Sequence, residues 1–145
     1  MKISMTIPIN VMGKPRMTRR DRWAKRPAVL RWFAFKDRFN KAVEVAMKAQ
    51  GMNLSDFNPE VVSWEAYIEM PDSWSKKKRA AMIGKYHRVK PDRDNIDKAI
   101  LDSLFDNDAG VAAGKLTKLW CEQGEGRIWL GMSETEKVVH GETGV

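Results

Sequence analysis

The residues best suited to chemistry stand in one stretch, 90–108, which reads K-P-D-R-D-N-I-D-K-A-I-L-D-S-L-F-D-N-D. Acidic side chains crowd it although the 145-residue chain carries a formal charge of +7. Asp92 and Asp94, two apart ahead of a helix, can direct their carboxylates into one cleft, and Asp108, beyond that helix, can return there through the fold. Carboxylates gathered without enough fixed positive charge repel one another. The ordinary remedy is a hard divalent cation with oxygen ligands, here Mg²⁺ with Mn²⁺ as the alternative. Such a cation polarises a phosphodiester and activates water, so the indicated chemistry is phosphodiester hydrolysis. Lys98, one helical turn after Asp94, is placed to hold the scissile phosphate or to offset charge in the transition state.

Each residue also has a plainer reading. Asp is a preferred helix cap, so Asp94, followed three residues on by Asp97, can serve simply as a capping pair. Lys98 and Asp102 can be an i, i+4 surface pair, Asn95 a helix-start residue, and Asp97 and Asp106 solvated acids. The residues alone leave these alternatives open. A calcium-binding EF-hand loop is excluded, because Ile96 falls on its fifth position and Asp97 on the sixth, where Gly is required.

The elements around the stretch must position it. Pro91 biases Lys90 toward extended geometry, and a helix is expected from about residue 95 to 105, with Ile96, Ala99, Ile100, Ser103 and Leu104 on its buried side. Upstream, Ile3, Met5, Ile7 and Ile9 alternate with polar residues and Pro8 as a strand that Pro8 ends or places at an edge. Val29, Trp32, Phe33, Phe39, Val43, Ala46 and Met47 recur three or four apart, predicting an amphipathic helix over 29–50 closed by Gly51. Residues 62–70 alternate as a second strand ended by Pro71, and a short helix over 75–83 follows, closed by Gly84. Residues 111–121 and 127–132 read as two strands of a hairpin joined through Gln-Gly-Glu-Gly at 123–126. The expected fold is a single α+β domain over 1–132, a small mixed sheet with flanking helices, followed by a fraying polar tail, 133–145.

Charge and composition narrow the partners. The excess of Lys and Arg favours a polyanion, nucleic acid before membrane surface. One Cys and two His supply neither an internal disulfide nor a Cys/His zinc set, and the opening MKISMTIPI is neither a signal peptide nor a membrane span. A reducing cytoplasm is expected. Residues 13–27 carry seven cations and one acid, Asp21, and read as an exposed arm that tracks phosphates, with Trp23 available to stack on a base; the plainer alternative is a solvated loop with Trp23 pinned to the core. A second basic cluster runs over 76–79 and on through Lys85, Arg88 and Lys90.

Taken in order, K-P-D-R-D-N-I-D-K-A-I-L-D-S-L, then N-D-A-G-V, Lys118 and G-R-I-W-L resemble the RusA family of Holliday junction resolvases of bacteria and their prophages. The resemblance covers the C-terminal half closely, and Gly13-Lys14-Pro15-Arg16 with the basic helix more loosely. It implies a RusA-like fold and a homodimeric, Mg²⁺-dependent endonuclease that cuts four-way DNA junctions by paired symmetric incisions in recombination and repair. It further implies that Asp92, Asp94 and Asp108 are the catalytic carboxylates and metal ligands, assisted by Lys98. Asn95 and Asp102 fall on motif positions, and Lys118 on a Lys of the following strand. Candidate DNA contacts are Lys14, Arg16, Arg19 and Arg20 on the arm, Lys76, Lys77 and Lys90 in the second cluster, and Asn95 and Lys118 in the motif. The chain departs from the family pattern where paired acids are common, having Asn107-Asp108, and its loop after the helix is shorter than in some members. Two rival functions are a basic protein that recognises DNA structure without cutting, and a metal nuclease of other branched DNA or of RNA.

Overall fold

In β1 (Lys2–Ile7), Ile3, Met5 and Ile7 are buried while Lys2, Ser4 and Thr6 face out, the period of two that the sequence carries. The computed structural model describes residues 1–22 and 26–134. Helix α1 (Pro27–Ala49) begins with Pro at its first position and buries Val29, Trp32, Phe35, Phe39, Val43 and Met47. Phe35, not Phe33, fills the stripe: Phe33 remains 39% exposed. The helix turns about 100° per residue, so Phe33 points well away from the line that Trp32, Phe35 and Phe39 follow. Next come β2 (Val61–Glu69) and α2 (Lys76–Met82), the latter capped by the Ser75 hydroxyl, which accepts the Lys78 N–H at 3.1 Å. Helix α3 (Arg93–Leu104), β3 (Leu116–Cys121) and β4 (Arg127–Ser133) complete the order.

The four described strands form one mixed sheet in the order β1-β4-β2-β3, with β2 and β3 parallel and the other neighbours antiparallel. The α+β expectation holds, but the expected hairpin does not. Strand β2 lies between β3 and β4, and the strand expected from 111 begins only at Leu116. The link between β3 and β4 instead crosses the end of β2. There Gln123 Nε2 donates to the Met70 carbonyl at 3.2 Å, and the Gly124 N–H donates to Glu69 Oε1 at 3.0 Å. Gly124 has φ of 79°, which the crossing turn requires and a side chain would oppose. Turn residues between two apolar runs signal a reversal, but they do not say whether another strand fits between.

Parallel neighbours need a crossover connection, and α2 with α3 supplies it. Helix α3 therefore lies on the core face, where Ile96, Ala99, Ile100 and Leu104 join Phe39, Val43 and Met47 of α1 and Val62, Trp64, Ile128 and Leu130 of the sheet. Each large apolar side chain buried in this way contributes about 1.5–3 kcal/mol, so packing rather than helix propensity fixes α3. The polar end of the domain extends slightly beyond the expected boundary. Ser133 pairs with Lys2, and the Glu134 carbonyl accepts from the N-terminal amine at 2.8 Å. The rest of the expected tail lies outside the described residues. No helix among the described residues is long and apolar enough to cross a membrane.

Candidate active site at the start of α3

Helix α3 starts two residues before its expected position, which changes the roles of its leading acids. Asp92, not Asp94, is the N-cap, with extended backbone (φ −69°, ψ 149°), and Asp94 lies in the first turn. The Asp92 carboxylate makes no capping hydrogen bond. An Asp at this position ordinarily accepts a backbone N–H two or three residues on, so Asp92 holds the cap position without spending its oxygens there. Asp92, Asp94 and Lys98 are all exposed, and Lys98 follows Asp94 by four residues along one side of α3.

Two lysines brace this helix start. Lys118, in the middle of β3, donates from Nζ to the carbonyls of Val89 and Pro91, each at 2.8 Å. These acceptors belong to the segment that delivers Asp92, so the ammonium ties the loop to the sheet. Burial pushes the Lys118 ammonium down from its ordinary pKa, while the nearby Asp92 charge acts in the opposite direction. Lys14 braces the other side: its N–H donates to the Asn95 carbonyl at 3.1 Å, and its Nζ pairs with Asp102 Oδ2 at 2.6 Å. Gly13 lets this strap approach closely, since a Cβ there would lie 3.1 Å from Pro91 Cβ and 3.3 Å from Asn95 Cβ. Asp102 is thus paired with Lys14 and not with Lys98. Lys14 and Lys118, both expected among the DNA contacts, spend their ammonium groups on the protein itself.

Asp97 is not a solvated acid. Its Oδ1 accepts the indole N–H of fully buried Trp64 at 2.9 Å. A buried tryptophan requires such an acceptor, and that requirement was readable once Trp64 was placed on the core face of a strand. Asp21, the one acid of the arm, is also buried. It accepts from Arg26 Nε and Nη2, both at 3.0 Å, and from the Thr18 N–H at 2.6 Å, while Arg26 Nη2 also reaches the Arg16 carbonyl at 2.7 Å. The Arg26 guanidinium foremost, then the Thr18 N–H, holds the Asp21 carboxyl down at about 2. Asp21 and Arg26 therefore pin the base of the arm, and Arg19 and Arg20 are presented on a short 3₁₀ turn with exposed side chains. Trp23 lies outside the described residues. Lys76 and Lys77 are exposed on the first turn of α2, and Lys90 is exposed beside Pro91.

Asp108 lies on an exposed loop beyond α3, where its carbonyl accepts the Val111 N–H at 2.9 Å. The loop then joins the start of β2, with the Ala112 N–H on the Glu60 carbonyl at 2.7 Å and the Val62 N–H on the Ala113 carbonyl at 3.0 Å. The expected convergence of three carboxylates is not formed in this chain: among the described residues no three His, Cys, Asp or Glu side chains are grouped so that they could hold a metal ion. Asp92 caps α3 and Asp94 lies in its first turn, whereas Asp108 follows the helix, whose two ends are roughly 18 Å apart. The donors nonetheless suit a hard cation in kind, because Mg²⁺ is commonly held by one or two carboxylates together with water and substrate phosphate oxygens.

A family model for endodeoxyribonuclease RusA matches residues 8–128, which takes in the arm, all the described helices, β2, β3 and every acid and lysine of the α3 site. The chain belongs to the RusA family. It is an endodeoxyribonuclease, of the class that resolves Holliday junctions, and its partner is branched DNA. RusA nucleases generally depend on a divalent metal. No curated protein matches the chain.

Proposed function

We propose that this RusA endonuclease is a Mg²⁺-dependent homodimer that resolves four-way DNA junctions by paired symmetric cuts, in the cytoplasm of a bacterium or of a phage-infected cell. The observation that carries this reading is the exposed Asp92 carboxylate at the α3 N-cap, unspent on the cap and set in a site braced by Lys118 and Lys14. Asp92 and Asp94 are the leading candidates to hold a divalent ion, with Asp108 as the third acid that the family pattern assigns. Mn²⁺ is the expected substitute. The ion, when bound, supplies electrophilic activation of the phosphodiester.

The chain's own residues account for the other requirements. Lys98, on the side of α3 shared with Asp94, offsets the negative charge that accumulates on the phosphate as water adds and the P–O bond breaks. Lys118 and Lys14 keep the helix start fixed, which preserves the attack geometry. Arg19, Arg20, Lys76, Lys77 and Lys90 contact phosphates on either side. Two cuts related by symmetry call for two such sites, and a dimer with a twofold axis supplies them.

The test is incubation with a synthetic four-way junction, a matched duplex and a single strand, each with Mg²⁺ or with chelator. Paired nicks in the junction with Mg²⁺ alone are expected. Junction binding without product in both conditions would make the protein a structure-selective binder, and equal cutting of the duplex would remove the junction from the proposal. Asp92→Asn should abolish cutting while retaining, or tightening, junction binding, because a charge that repels phosphate is removed.

A further inference from the structure

Tyr86 is 70% exposed, yet its backbone is tied to the sheet edge. It bridges Leu119 along the outer edge of β3, flanked by hydrogen bonds from the Trp120 N–H to the Lys85 carbonyl at 3.0 Å and from the His87 N–H to the Lys118 carbonyl at 2.9 Å. The neighbouring His87 ring turns inward and packs on Trp120 with centroids 4.2 Å apart. Residues 85–88 therefore close the sheet edge with an inward imidazole and an outward phenol. Edge closure accounts for the backbone and leaves the phenol ring in water, beside the cations that flank it.

Tyr86 forms one wall of a groove of about 600 Å³, whose other walls include Arg93, Lys115, Leu116, Thr117 and Lys118. No carboxylate lines it. The groove opens beside α3, with Arg93 next in sequence to Asp92 and Lys118 tied to the Pro91 carbonyl. On the other side of Tyr86 lies a second hollow lined by Lys85 and Arg88. An aromatic ring carried on an anchored backbone, with Arg93, Lys115 and Lys118 in one hollow beside it and Lys85 and Arg88 in the other, suits a ligand that is flat, aromatic and attached to phosphates. That description is met by a nucleobase on its own backbone, and aromatic side chains with flanking cations are the usual platform for unpaired bases.

We propose that this groove binds an unstacked nucleobase of the DNA substrate, with Tyr86 as the stacking platform, and that this contact distinguishes a branch point from continuous duplex. Bases inside a duplex are stacked and hydrogen-bonded, and extracting one costs least where pairing or stacking is already interrupted. The branch point of a four-way junction provides such bases and a duplex does not. A base held by Tyr86 would also place its flanking phosphates beside Arg93 and the Asp92 end of α3. The inference rests on the junction reading above but can fail separately from it.

The experiment measures junction and duplex affinity, with Ca²⁺ in place of Mg²⁺, for the intact chain, Tyr86→Ala and Tyr86→Phe. Tyr86→Ala should weaken junction binding roughly 10-fold or more while duplex binding changes less than about twofold, and Tyr86→Phe should retain the preference because the ring is kept. In parallel, 5-iodouracil is placed at the branch-point positions of the junction and the unmodified protein is photocrosslinked, so that this arm does not depend on a variant's folding. A crosslink mapped to Tyr86 from the branch point, absent with duplex, is expected. Equal affinities for Tyr86→Ala and the parent, equal losses on junction and duplex, or crosslinks only to other residues would each overturn the inference. If the parent chain itself shows no preference for junctions, the junction reading fails first, and a Tyr86 crosslink from single-stranded DNA would still support the base site.

Discussion

Replacing Lys118 by Met tests whether this lysine braces the candidate active site or contacts DNA. The substitution keeps most of the side chain's length and removes its donors, leaving the carbonyls of Val89 and Pro91 without the ammonium that each now meets at 2.8 Å. A hydrogen bond to a charged group contributes about 1.5–3 kcal/mol. The Val89 bond is exposed and water will replace it, whereas the Pro91 bond is partly buried, so the structure points to a net loss of about 2 kcal/mol of folding stability. Loosening of the segment before Asp92 should lower kcat on the order of 10- to 100-fold with little change in KM, since small displacements of reacting groups carry penalties of that size. A further signature is specific to this geometry. The Lys118 charge is the second cause, after burial, of the lowered His87 pKa, so that pKa should rise toward its ordinary value in Lys118→Met. The assays are urea unfolding, junction-cleavage kinetics, NMR titration of His87 and the salt dependence of junction binding. Unchanged stability, together with a salt slope reduced by roughly 0.9, the value of one phosphate contact, would refute the bracing role and restore Lys118 to the DNA surface.

Other consequences follow from neighbouring contacts. Asp97→Ala should cost about 1–3 kcal/mol in urea unfolding because the buried Trp64 N–H loses its acceptor, and Asp97→Asn, which keeps an oxygen there, should recover much of that loss. Stability should fall as pH is lowered from above 6.5. Burial lowers the folded-state pKa of His87, so between that lowered value and 6.5 the unfolded chain binds more protons; thermal melts of His87→Phe should lack this component. Arg19→Ala with Arg20→Ala should flatten the salt dependence of junction binding, whereas Lys14→Met should leave the slope unchanged and lower stability, because its ammonium already pairs with Asp102.

Much of the architecture was determined locally. The alternation in β1 and β2, the three- and four-residue recurrence in α1 and α3, and the glycines closing α1 and α2 appear where the pattern places them, because side-chain period and backbone freedom act over a few residues. The crowded acids of 90–108 and the order of the RusA motif were likewise legible, and they were enough to indicate the family and its chemistry. Contacts between distant segments required the tertiary structure. Nothing in the sequence near Lys14 says that its ammonium meets Asp102, or near Lys118 that it holds the carbonyls ahead of Asp92; these pairings arise because the parallel crossover lays α3 beside β3 and the early strap. The same topology inserts β2 between β3 and β4, pairs Asp97 with Trp64 and leaves Tyr86 outside a closed sheet edge. Which groups are available for chemistry follows from the order of residues alone, since side-chain type sets charge, donors and pKa. Which of those groups remain free for DNA follows from the folded arrangement, because only packing across the sheet determines which of them bond to the protein itself.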